Sequence, residues 1–170
     1  VDHFDRLEKT AAGDGTAAML HELGESLRDR RRWHALFDLR LIEARVALGL
    51  PAGADAGEVA ATVRDALDER SLAACREVGW PLLDEGQVAA GWMYLRAGAD
   101  PAEVAARLAA LAHELLPAAG AADADGADAD EAERERKSAR LQEIVHVALW
   151  EGVDPALGID IVLRTQGTCN

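Results

Sequence analysis

Apolar side chains recur along this chain every three to four residues and almost never on strictly alternate ones. That spacing returns side chains to one face of an α-helix, whereas a strand needs a period of two, so it decides fold class before anything else. The segment from Trp33 to Leu48 shows it most fully. Trp33, Phe37, Leu41, Ala44 and Leu48 share a face, and Leu36, Leu39, Ile42 and Val46 widen it. His34, Asp38, Glu43 and Arg45 supply the polar side, and Gly49 and Pro51 stop the pattern. Similar stripes run through Met19, Leu20, Leu23 and Leu27, through Val59, Val63, Leu67, Ala74 and Val78, and through Val104, Leu108, Leu111 and Leu115. Another passes through Leu141, Ile144, Val145, Ala148 and Leu149, and a last one through Leu157, Ile161 and Val162.

Composition agrees with the pattern. Ala and Leu, the best helix formers, carry most of the 49% hydrophobic content, and aromatics make up only 4%. Punctuation divides the stripes. Thr16 is placed to cap a helix after Gly13 and Gly15, and Asp100-Pro101 and Asp154-Pro155 each read as a cap followed by a first-turn proline. Gly79-Trp80-Pro81 interrupts a long stripe, so the helix either kinks at Pro81 or ends at Gly79 and restarts. The expected fold is all-α: about seven or eight helices joined by short turns into an array of antiparallel hairpins, of α-solenoid type.

Residues 118–132 contain only Ala, Gly, Asp and Glu, with no large apolar side chain to offset the entropy of ordering. They read as a flexible acidic linker. The expected organisation is therefore a hairpin array over residues 1–117, that linker, and a C-terminal helical hairpin over residues 133–170 that packs on the array.

With 31 acidic against 18 basic residues the net charge is -13, a field that repels phosphate backbones and anionic lipid. Nucleic acid and membranes are excluded as expected partners, and no stretch approaches the roughly 18 apolar residues of a membrane span. Cys75 and Cys169 form neither a disulfide framework nor a zinc spacing. No signal peptide is visible, and the Ala, Arg, Gly and Asp bias suits a GC-rich genome, so the bacterial cytoplasm is the expected compartment. The chain opens on Val1 rather than Met, which suits a piece of a longer protein.

Two segments align without gaps. Leu20, Leu23-Gly24, Leu27 and Trp33 match Cys75, Val78-Gly79, Leu82 and Val88, with the glycines 55 residues apart. Gly86, Val88, Gly91 and Leu95 continue the second copy; Arg31 stands in the first where Gly86 stands in the second. The series resembles tetratricopeptide-like helical hairpins, in which a Leu-Gly pair on one helix packs against small and aromatic positions on the next. The resemblance implies a groove that binds protein or peptide, and no catalytic residues.

Few residues suggest chemistry. Glu143 and His146 make one Glu-x-x-His, half of the pattern that di-iron bundles use twice. His21-Glu22 and His113-Glu114 lack the second His of a zinc peptidase, since Glu25 and Pro117 occupy that place. Arg28, Arg30, Arg31 and Arg32 form a basic run that suits the negative end of a helix dipole. Trp33, Trp80, Trp92 and Trp150 read first as packing anchors, with Trp80 and Trp92 flanking a turn where they could line a groove. Cys169 has no identifiable base beside it. The expected function is a non-enzymatic interaction or scaffold module that needs no cofactor. Trp80, Trp92, Tyr94, Arg31 and Trp33 are its candidate binding residues. The alternative is a helical-bundle metal protein or enzyme built on Glu143 and His146.

Overall fold

A computed structural model describes residues 3–52, 60–116 and 131–166. Residues 53–59, all of the acidic linker up to residue 130, and Cys169 lie outside the described residues. The described elements are helices: α1 (His3–Asp14), α2 (Thr16–Asp29), α3 (Trp33–Ala47), α4 (Ala61–Asp84), α5 (Val88–Leu95), α6 (Pro101–Leu115), α7 (Glu131–Val145) and α8 (Pro155–Gln166). A π-helical turn, His146–Trp150, continues α7. No strand occurs among the described residues, and no helix there is long and apolar enough to cross a membrane. The all-α class read from the period of the apolar residues is the class observed.

Local signals place most helix ends. The Asp100 side chain accepts from the Ala102 N–H at 2.9 Å, with Pro101 opening α6, and Asp154 Oδ1 accepts from the Leu157 N–H at 3.0 Å at the start of α8. Thr16 does not act as the expected cap. Gly15, at φ 88°, makes the bend between α1 and α2, and Thr16 is already the first helical residue. The chain reverses there through a backbone conformation open chiefly to glycine. At Pro81 the helix neither ends nor restarts: α4 runs through it to Asp84. The ring forfeits one bond to the Glu77 carbonyl, but the Pro81 carbonyl still accepts from the Glu85 N–H at 3.0 Å.

The chain divides into two compact units, Val1–Val78 and Gly79–Asn170, and α4 supplies residues to both. In the first unit Leu20, Leu36, Leu39, Ala44, Ala74 and Val78 are buried. In the second, Leu83, Val88, Leu95, Val104, Leu108, Ile144, Val147 and Ile161 form one apolar core from α4, α5, α6, α7, the π-turn and α8.

The turns after α2 and after α4 use the same hydrogen bonds 55 residues apart. Arg31 N–H donates to the Arg28 carbonyl at 2.9 Å and Arg32 N–H to the Leu27 carbonyl at 2.8 Å. Gly86 N–H donates to Leu83 and Gln87 N–H to Leu82, both at 2.9 Å. Each is a Schellman ending, which needs one left-handed residue. Gly86 has φ 79° and Arg31 has φ 53°, so the arginine adopts the conformation that glycine takes more cheaply.

Candidate functional site

The expected binding residues fall in both units. In the first, Trp33 is buried at the start of α3, and Arg31 is exposed in the turn before it. In the second, Tyr94 is buried, while Trp80 and Trp92 are half-buried against the apolar core. The indole N–H of Trp92 donates to Glu151 Oε2 at 3.2 Å. His146 Nε2 stands 3.8 Å from the other oxygen of that carboxylate, an ion pair when the imidazole is protonated. Glu151 thus brings together Trp92 and His146, which lie on different helical segments.

Glu143 serves another purpose. Its Oε2 accepts from the backbone N–H of Ala89 at 2.9 Å. Ala89 is in the first turn of α5, where Gln87 provides no side-chain cap. A carboxylate from α7 satisfies one of the orphan donors there and sits at the positive end of the α5 dipole. Among the described residues, no three His, Cys, Asp or Glu side chains converge as metal ligands would.

One concave site of this unit lies on its C-terminal hairpin. Adding a Cβ at Gly158 would bring it 2.7 Å from the Leu149 Cβ, so α8 lies close against the π-turn. The turn is closed by the wide bond from the Glu151 N–H to the His146 carbonyl, 3.1 Å. Val147 and Ala148 point into the core, whereas Trp150 is 75% exposed. Trp150, grouped above with the packing anchors, is therefore a surface residue. A groove of about 580 Å³ opens beside it. Leu141, Val145, Ile161 and Val162 give it an apolar lining, and Arg134, Lys137, Ser138, Gln142, His146 and Thr165 contribute polar groups. Among the described residues no carboxylate lines it. Lys137 pairs with Glu133 one turn earlier at 3.1 Å.

The first unit also carries an ionic cluster. Glu77 on α4 accepts from Arg28 of α2 and from Arg40 of α3, the latter through Nε at 2.8 Å and Nη2 at 2.9 Å. Arg40 Nη1 also reaches Glu43 at 2.6 Å. The hydrogen bonds from Arg40, reinforced by those from Arg28, hold the Glu77 carboxyl below its ordinary range despite burial. The same contacts with Glu77 push Arg40 up. A small depression of about 190 Å³ at this cluster is bordered by Arg70. Each central charge has a partner, so the cluster fastens three helices.

Sequence reasoning missed Arg134, Lys137 and Glu151. The first two belong to no motif in the sequence, and nothing local links Glu151 to Trp92, 59 residues earlier. Trp150 was visible, but its exposure depends on the π-turn, which the apolar spacing does not announce. No protein-family model, curated protein or solved structure matches the chain.

Proposed function

We propose that this chain is a non-enzymatic interaction module whose binding surface is the groove between the α7–π-turn segment and α8. The observation that carries this reading is the solvent-facing Trp150 on the rim of an apolar groove of about 580 Å³. A large indole held in water costs free energy unless a partner covers it, and aromatic anchors of this kind dominate binding at protein interfaces. The groove offers shape and apolar area but no converging acid, base and nucleophile, which suits recognition better than turnover.

A second part of the proposal concerns architecture. We read α2–α3 and α4–α5 as two copies of one tetratricopeptide-like hairpin. The support is the pair of Schellman turns with matching bonds, and the glycine contacts behind them. A Cβ at Gly24 would meet Arg40 at 3.1 Å, and one at Gly79 would meet Leu95 at 2.6 Å, and Leu95 follows Arg40 by the same 55 residues. Hairpin units of this kind commonly present surfaces to other proteins.

The test is affinity capture from a cell extract with the intact chain and with Trp150→Ala, a substitution at an exposed position whose helicity circular dichroism checks. The proposal expects proteins retained by the intact chain and lost from the variant. Identical capture by both would remove the groove from the account.

A further inference from the structure

We infer that the partner of the C-terminal groove is an amphipathic helix with an acidic flank. This rests on the proposed function and adds the chemistry of the occupant. The protein carries 31 acidic residues against 18 basic ones, so a surface feature chosen blindly should be rimmed by carboxylates. This groove is rimmed by Arg134 and Lys137, with no Asp or Glu among the described residues that line it. Among the described residues Arg134 makes no ion pair, and the Lys137 partner, Glu133, is an exposed neighbour on the same helix that competes weakly with an incoming carboxylate. A local cationic rim in an anionic molecule selects for negative charge and repels a basic ligand.

The apolar part points to a helix. On α8, Leu157, Ile161 and Val162 face the hairpin or the groove, yet Ile159 and Leu163, one turn apart, remain 50% and 49% exposed. Asp160 and Arg164, also one turn apart, pair with each other at 2.9 Å on the remaining side. The apolar arc of α8 therefore continues from the groove onto open surface. Trp150 bounds the groove from the π-turn. A strip between two helices, with an apolar lining and one charged edge, matches a ligand that presents apolar residues at i, i+4 and i+7 and acidic residues beside them. The volume lies within the range of pockets that hold several side chains at once.

Two fluorescently labelled synthetic helices test this against the intact chain by anisotropy. Both carry Leu at i, i+4 and i+7; one has Glu along a flank and the other Lys. The Glu peptide is expected to bind at least about tenfold more tightly than the Lys peptide and to weaken with added salt. Its affinity should fall about tenfold in Arg134→Glu/Lys137→Glu and in Trp150→Ala. All three positions are exposed, and circular dichroism checks that each variant stays helical. Equal or tighter binding of the Lys peptide would overturn the acidic partner and leave the groove intact. No binding of either peptide, with capture from extract still dependent on Trp150, would overturn the helix inference alone. Binding indifferent to Trp150→Ala would overturn both. Sedimentation showing a dimer that Trp150→Ala dissolves would assign the groove to a second copy of the chain, against this inference.

Discussion

The α2–α3 and α4–α5 hairpins turn through the same hydrogen bonds but close the space behind their glycines with opposite chemistry. Gly24 faces the Arg40 guanidinium, which is itself held by Glu77 and Glu43, and the Leu39 Cδ2 beside it. Gly79 faces Leu95, and a Cβ on Gly91 would stand 2.8 Å from the Leu83 backbone nitrogen and 2.9 Å from the Gly79 carbonyl oxygen. One hairpin meets its glycine with a side chain held by ion pairs. The other is closed by backbone against backbone. The lesson is that the turn is dictated by its Schellman bonds, while the packing behind it can be apolar or ionic.

Substitutions that add one methyl group separate the two most sharply. Gly91→Ala should cost about 2–3 kcal/mol, because the neighbours that must move are main-chain atoms. Thermal or urea unfolding measures it. Replacing Glu77 with Gln should cost about 1–3 kcal/mol, since charge-assisted bonds to two arginines are lost and both cations are left underpaired. The same residue gives a pH dependence. Its folded pKa lies below the ordinary 4.5, held down by Arg40 and then Arg28. Stability from this cluster is therefore full at neutral pH, above the unfolded value, and is lost as pH falls below about 4.5 through the folded value. Unfolding free energy measured between neutral and acid pH should show a smaller acid decline in Glu77→Gln than in the intact chain.

The turns themselves give the next effect. Gly86→Ala should destabilise by about 1–2 kcal/mol, the cost of a Cβ in the left-handed region. Arg31→Gly should do the reverse and stabilise by about 0.5–1 kcal/mol, because the first turn already has φ 53°. The smallest effect belongs to Gly24→Ala. The Arg40 tip can give way, and Ala gains helix propensity, so the change should fall between zero and about 0.5 kcal/mol in favour of folding. If Gly24→Ala proved as damaging as Gly91→Ala, the contrast between ionic and backbone closure would be wrong.

Much of the helical framework was legible because it depends on residues close in sequence. The stripe from Trp33 to Leu48, the Asp100-Pro101 start and the matched glycines all report local geometry. Arg31 was harder to read. Arginine announces no left-handed turn, and the conformation is visible only through its match to Gly86. Long-range pairings were not legible at all. The Glu143 carboxylate on the Ala89 N–H joins positions 54 residues apart, and the Glu-x-x-His spacing gives no sign of that bond. The groove escaped notice for a related reason. Arg134 and Lys137 look like any helix charges until α8 is brought alongside, and the π-turn, which has no periodic signature, sends Trp150 outward.

Collisional quenching of Trp150 tests the central claim most directly, because it reports both exposure and the sign of the local potential. The emission difference between the intact chain and Trp150→Phe isolates this indole from Trp33, Trp80 and Trp92. A solvent-open residue beside a cationic groove should be quenched strongly, with an iodide-to-caesium quenching ratio above that of a free neutral indole, although the chain as a whole carries a net charge of -13. Shielding from both ions, or a ratio below that of the free indole, would contradict the account.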